Sequence, residues 1–449
     1  MNKNKLIFAI IGWILVLFLV VWLLFLKGWV KKKTTTKSAS WDFTIWIVWD
    51  SKVKFEEFLS TFKEANRGVS NVDYKVESFS KYADYSRALT SAMIQGKAPD
   101  VFVLNNNETS LFENKILPIA SKEINVTSFR KDYKWIFNDD LIILSGESDS
   151  KGNKEEFLKW IPVWYETLGI FYNRRFRFKA SDFNSIASLN WAIERIKRNN
   201  VIPLGIWNGT TVEYSPDILA QFFLLHKVDT LSKANTLKIK QAVWEYAWFW
   251  TVNWDNAYNW LYSDTKLTGK SNIDLFAGND VASIITYPRS ILKLQALGFS
   301  KKTLFATKFP HFHSWDGWSL ANYNFFVINS DSAQQEIALT LLKYLNTDEW
   351  AEAYLEKYKY YLPARLSLES DMSEQKISNY FENVVLWDFY SENPLSSFDK
   401  ANKVIYDRDV ISVLDNFSSY LSAFDSFKSS TLCKSNKILN LTNLWESCE

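Results

Sequence analysis

Glu166 is the side chain whose setting in this chain most invites chemistry. It stands inside Ile161-Pro162-Val163-Trp164-Tyr165-Glu166-Thr167-Leu168-Gly169-Ile170-Phe171-Tyr172-Asn173. The stretch reads as a Pro-initiated turn and an apolar run ending in Tyr-Asn, the pattern of a buried strand with polar ends. A lone charge beside a buried strand is costly unless it is paired or aimed at something. Capping of a nearby helix is the plainer alternative. His311 and His313 are spaced to share one strand face, but with no further ligands in view a solvated or core pair outweighs a metal site. Cys433 and Cys448, the two cysteines, are either free thiols or a local disulfide. There is no Gly-x-Ser-x-Gly elbow, no His-Glu-x-x-His and no Gly-x-x-x-x-Gly-Lys loop. The reading therefore assigns no catalytic residue, no metal and no cofactor.

The elements that must position Glu166 alternate between two periodicities. Phe43 to Val48, Tyr74 to Phe79 and Pro99 to Leu104 read as strands. Between them, Val53 to Asn66 and Tyr82 to Gln95 have helical spacing, the second stopped by Gly96. Strand, helix, strand, helix, strand at these intervals predicts a parallel α/β lobe. In such sheets ligands sit outside the carboxyl ends of the strands. That places Asp50, Ser51, Lys52 and the run Asn105 to Asn107 at a cleft, although Asn and Asp at strand ends also serve as ordinary turn formers. Further on, the pattern predicts a helix over Leu189 to Arg198, a strand over Ile202 to Ile206, a loop at Asn208 to Thr211 and an aromatic-rich helical region over Ser215 to Asn259. A strand runs to Thr286 and ends at Tyr287-Pro288-Arg289, making Tyr287 and Arg289 cleft candidates; a solvated surface role is the bland alternative for the arginine. Asn324 to Asn329 reads as a returning strand and Gln334 to Leu345 as a helix.

Five stretches, in order, resemble extracellular solute-binding proteins of the maltose-binding class. Pro162, Glu166, Tyr172, Asn173 and Arg174 match the crossover between lobes. Met93 to Val101 resembles the small-x-Pro-Asp-hydrophobic element. Leu275 to Thr286 resembles a Phe, Gly, small apolar, strand element. Leu345 to Tyr354 is similar to the Thr-Asp/Ser-Glu-Gly signature, with Trp350 at the glycine position, and Leu362-Pro363-Ala364-Arg365 to the Pro-small segment. The resemblance covers roughly residues 41 to 430. It implies an α/β, two-lobed periplasmic-binding-protein fold (type II) with a hinge between the lobes. It implies lobe 1 at 41–163 and 304–345 and lobe 2 at 164–303 and 346–430, with a tail at 431–449. It also implies that Glu166 points into the inter-lobe cleft and accepts hydrogen bonds from ligand hydroxyls, with Asp50, Asn105, Tyr165, Asn208, Tyr287 and Arg289 as further ligand-binding positions.

The composition has one abnormal feature. The chain holds 21 Trp and only 13 Gly among 449 residues, less than half the usual glycine share of about 7%. Together the two types occupy about the share that glycine alone normally takes. Several Trp sit in glycine-like settings: Trp315 and Trp318 flank Asp316-Gly317, Trp207 precedes Asn208-Gly209, and Trp350 follows Thr347-Asp348-Glu349. A genetic code that reads UGA as glycine, translated with a table that prints Trp, produces this pattern. The rival is a Trp-rich carbohydrate binder whose rings stack on sugars. Charge is nearly balanced, with 52 basic against 50 acidic residues, so no nucleic-acid footprint is present.

The N-terminus adds a membrane expectation. Leu6 to Leu26 is uncharged and mostly apolar, long enough to span a hydrocarbon core of about 30 Å. No small-x-small site or lipidation cysteine follows, so residues 1–28 are read as an uncleaved transmembrane anchor helix, with a cleaved signal peptide as the alternative, and 29–40 as a polar linker. The lysines after the span, by themselves, put the bulk of the chain inside; the resemblance puts it outside. The expected protein is a single-pass, extracytoplasmic solute-binding protein. Its partners are a small solute, a saccharide by resemblance, the permease subunits of an ABC transporter and the lipid membrane. The alternatives are a membrane-anchored glycosidase, which needs two facing carboxylates such as Glu166 with Asp50, and a ligand-sensing module on the same fold.

Overall fold

The computed structural model describes residues 42–369, less 49–50, 107, 149–153, 198–200, 208, 229–236, 240, 243–244, 247–248, 250–268, 313–317 and 359, together with 395–396. The expected span Leu6 to Leu26, Asp50, Asn208, His313, Cys433 and Cys448 lie outside the described residues. Among the described residues no helix is long and apolar enough to cross a membrane.

The first unit begins with β1 (Asp42–Val48), α1 (Lys52–Ala65), β2 (Asp73–Phe79), α2 (Tyr82–Ile94) and β3 (Val101–Asn105). The helical spacing in α1 turns Phe55, Phe58, Leu59 and Phe62 inward. Gly96 ends the α2 region at φ +65°, a conformation in which a Cβ is unfavourable. Strands β1, β2 and β3 pair in parallel, as expected. Asp100 explains the Pro-Asp element physically. Its carboxylate accepts from Thr44 N–H (2.8 Å) and Thr44 Oγ1 (2.9 Å) on β1, and from Ser332 Oγ (2.6 Å). It ties three chain segments together at the amino end of β3.

The apolar run at the crossover is two strands, not one. β4 (Ile161–Glu166) closes the first unit, and β5 (Gly169–Asn173) opens the second. All eleven positions are buried, as befits strands covered on both faces. The second unit continues through α3 (Ile186–Lys197), α4 (Ser215–Leu225), β6 (Ser283–Thr286), α5 (Ser290–Ala296) and β7 (Leu304–Lys308). Its sheet has the order β7-β5-β6, with both pairings antiparallel. The strand expected at Ile202 to Ile206 is only an isolated bridge between Ile202 and Val281. Gly205 packs so closely there that an added Cβ would lie 2.9 Å from Ile284 Cγ2.

The chain returns through β8 (Asn322–Ile328), α6 (Gln335–Leu345), α7 (Asp348–Lys357) and β9 (Leu362–Pro363). The first sheet has the order β9-β4-β8-β3-β1-β2. β8 lies antiparallel between β3 and β4, so the sheet is mixed rather than wholly parallel. The reason is geometric. A chain re-entering from the second unit arrives at the carboxyl ends of β3 and β4 and must run the other way.

Packing corrects the expected division of the chain at two places. Leu304, Ala306 and Phe309, expected with the first lobe, lie in the cores of the second unit. Trp350, Ala351, Tyr354 and Leu355, expected with the second, lie in the core of the first. β7 is held in the second sheet by its register with β5. α7, whose N-cap Thr347 accepts from Trp350 N–H, lays Tyr354 against Phe58 of α1 at 5.7 Å between ring centroids.

Three of the Trp positions are unusual places for an indole. Trp160 and Trp350 are sealed in the first core, and neither Nε1–H has a hydrogen-bond partner. An unmet buried donor costs about 1–3 kcal/mol. Trp160 stacks on Phe325 with centroids 4.1 Å apart and planes at 7°, and Trp164 on Tyr361 at 3.6 Å and 4°. Aromatic pairs prefer offset or edge-on contacts at about 4.5–7 Å. The recoding expectation has a direct test in the mass of the tryptic peptide Trp160 to Arg174 from the source cell. The expected mass is lower than the printed sequence by two Trp-to-Gly differences. A mass with both indoles intact would contradict it.

Candidate functional site

Glu166 stands at the last position of β4, directly opposite Asn322, the first position of β8. The chain thus leaves the first unit and re-enters it at adjacent points. Period-two alternation places Trp164 and Glu166 on one face of β4, with Asn322 and Asn324 paired to them on β8. Asn105, at the carboxyl end of β3, joins that face: its Nδ2 donates to Asn322 Oδ1 (2.7 Å) and Asn324 Oδ1 (2.8 Å).

The second unit contributes Arg289. The Glu166 carboxylate is fully buried, and its Oε2 lies 3.2 Å from Arg289 Nη1. Its Oε1 accepts from the Arg289 backbone N–H at 3.4 Å. The pairing follows from the sheet. Gly169 at the start of β5 is in register with Thr286 at the end of β6, which brings the Tyr287-Pro288-Arg289 turn beside the crossover. The guanidinium also lies 5.2 Å from the Tyr287 ring and 5.3 Å from that of Tyr214, with Nε 3.4 Å from Tyr214 Oη. Tyr214 holds φ +63° at the N-cap of α4, which turns its ring toward this cluster.

Burial pushes the Glu166 carboxyl up to about 7; Arg289 pulls it down and Asp217 adds to the rise. Burial works against the charge on Arg289, but Glu166, Tyr214 and Tyr361 together hold the guanidinium above its ordinary range. Burial drives the Tyr287 hydroxyl well above the phenol range, with Asp217 adding to it. That hydroxyl donates to Asp217 Oδ2 at 3.0 Å.

Of the residues expected at the site, the structure therefore brings together Asn105, Glu166, Tyr287 and Arg289. Tyr165 is a correction. One residue along a strand reverses the face, so Tyr165 points away from Glu166 into the core of the first unit. It packs edge-on to Phe137 at 6.4 Å, with Lys134 Nζ 5.5 Å from its ring. Asn322, Asn324, Tyr214 and Asp217 were not legible as site residues. The alternation Asn322-Tyr323-Asn324 was the available signal, but the expected strand began only at Asn324. Among the described residues no group of three or more His, Cys, Asp or Glu is arranged to hold a metal. His311 is buried against Ser319, its Nε2 3.3 Å from the hydroxyl.

The family model of the bacterial extracellular solute-binding proteins matches residues 57–380. The chain belongs to this family. No curated protein matches it. Among solved structures it is similar to an ABC transporter solute-binding protein from Thermotoga lettingae bound to α-D-tagatose. That likeness has 16% identity and a TM-score of 0.60, covering 89% of this chain and 100% of the other. The sugar-binding protein MalE from Xanthomonas citri is 14% identical with a TM-score of 0.63, over 89% and 96%. The maltose-binding protein MalE from Listeria monocytogenes, in complex with maltose, is 15% identical with a TM-score of 0.59, over 90% and 97%. At these identities the likeness establishes the two-lobed solute-binding fold. The first unit is thus lobe 1 and the second lobe 2, and Glu166–Arg289 bridges them.

The Glu166 shift fixes a sign. The ordinary carboxyl titrates near about 4.3, so between there and about 7 the folded protein holds a proton that the unfolded chain has released. This group's contribution to stability is present at low pH and is lost as pH rises through 7. Glu166→Gln mimics the protonated form. Urea unfolding is expected to show the variant losing less stability than the wild type between about pH 5 and about pH 8. Parallel profiles would contradict the assignment.

Proposed function

We propose that this protein is a binding protein that captures a neutral sugar or oligosaccharide between its lobes and delivers it to the permease of an ABC importer. The observation that carries the reading is the polar face at the crossover. Asn105, Asn322, Asn324 and Glu166 gather at the carboxyl ends of β3 and β4, where open α/β sheets place their ligands. Arg289 reaches the same point from lobe 2. A few convergent polar groups suit a hydroxyl-rich solute. Structures of this fold have been solved with tagatose and with maltose bound, which supports the sugar class. Glu166, Asn105 and Arg289 act as ligand-binding or ligand-organising residues, and Tyr287 backs Arg289. Asp50 and Asn208 belong to the same proposal through their positions after β1 and before the Gly209 loop. Leu6 to Leu26 anchors the chain to the membrane with both lobes on the extracytoplasmic side.

The hinge lies at the paired crossings, β4 to β5 and β7 to β8. Two strands side by side permit a rotation of one lobe against the other while the sheets stay intact. The test uses the soluble lobes and a panel of tagatose, maltose, maltotetraose, glycerol phosphate and a peptide. Calorimetry is expected to show binding of a neutral sugar without turnover, and small-angle scattering a smaller radius of gyration when it is bound. Release of an aglycone from an aryl glycoside, or binding of the peptide alone, would overturn the reading.

A further inference from the structure

The asparagine cluster has an arrangement that the fold does not require. Asn105, Asn322 and Asn324 are only 4%, 4% and 3% exposed. Asn105 spends both amide hydrogens on its neighbours, one on each side-chain oxygen. A carboxamide carries its oxygen and its NH2 on opposite arms. Turning both oxygens toward Asn105 therefore turns both NH2 groups of Asn322 and Asn324 away from it. Neither Nδ2 donates to any group among the described residues, and neither is a buried atom cut off from solvent without a partner.

Position gives these donors a purpose. Asn322 and Asn324 are two apart on β8, so their side chains stand on one face about 7 Å apart. Asn322 faces Glu166 across the strand pair, and Asn324 faces Trp164 on one side and Asn105 on the other. The face thus places two amide donors beside the buried Glu166. The Arg289 charge is already matched by Glu166, so the cluster suits a neutral partner rather than an anion.

We infer that Asn322 and Asn324 are a ligand-binding donor pair for two oxygen atoms of a neutral polyhydroxylated solute, with Asn105 as the positioning residue that aims both amides. The inference rests on the sugar-binding reading above and adds to it the residues that read hydroxyl geometry. A sugar offers acceptor oxygens at several ring positions, and each amide takes one of them. A solute without such oxygens leaves the pair unmet and is rejected for that reason.

The isosteric variants Asn322→Asp and Asn324→Asp test this. Aspartate keeps the oxygen that accepts from Asn105 but replaces the outward donor with an acceptor. Maltotetraose is the probe, with a series of monodeoxy maltosides to locate the hydroxyls involved. The wild type is expected to bind maltotetraose, and each variant to bind it roughly tenfold or more weakly with an unchanged circular dichroism spectrum. One deoxy position is expected to weaken the wild type yet have no further effect in the matching variant, an outcome a merely structural role does not produce. Wild-type affinity in both variants, with maltotetraose still bound, would overturn the donor pair and leave the sugar reading standing. Absence of binding by the wild type to maltotetraose, to every deoxy maltoside and to tagatose would overturn both.

Discussion

The rest of the structure depends on a buried ion pair between lobes. Glu166 ends β4 in lobe 1, and Arg289 follows β6 in lobe 2. Neither is well placed alone, since a fully buried carboxylate without its guanidinium leaves an uncompensated charge, which costs about 3–5 kcal/mol. The pair demands that β4 stop where it does, that β5 start within two residues, and that β6 end beside it. The register of β5 with β6 and of β4 with β8 meets those demands at one point. The chain crossing and the polar face coincide because the same few residues carry both.

Much of this was legible in the sequence. The alternation of period-two and helical spacing gave β1, α1, β2, α2 and β3 nearly to the residue, because each helix buries a single apolar stripe. Glu166 stood out because a charge in an apolar run needs a partner. That its partner is Arg289 was not legible: 123 residues separate them, and only the antiparallel register of lobe 2 brings them together. The direction of β8 and the lobe of α7 were hidden for a similar reason. A buried strand is apolar whichever way it runs, and an amphipathic helix has the same pattern whichever core it covers. Tyr165 was placed at the site by the resemblance alone, against the alternation that sends it to the other face.

The asparagines show a different limit. Asn105 was visible as a polar residue ending an apolar strand, a setting shared by countless turns. Its meaning comes from two partners more than 200 residues away. Asn322 and Asn324, each held through its oxygen by Asn105, have their NH2 arms fixed in direction with no acceptor among the described residues. That combination of fixed geometry and spare hydrogen-bonding capacity characterises a recognition surface more than a core. The aromatic residues behind it carry less weight, because Trp164 is one of the positions whose identity the composition calls into question.

The most direct test of the account is a double-mutant cycle across the lobes, using Glu166→Gln, Arg289→Met and the pair, with free energies from urea unfolding at about pH 8, above the range in which Glu166 holds its proton. If the ion pair is the constraint described, the two single losses will exceed what the double variant loses by a coupling of about 1–3 kcal/mol. If the losses simply add, Glu166 and Arg289 do not hold the lobes together, and the crossover is organised by something else.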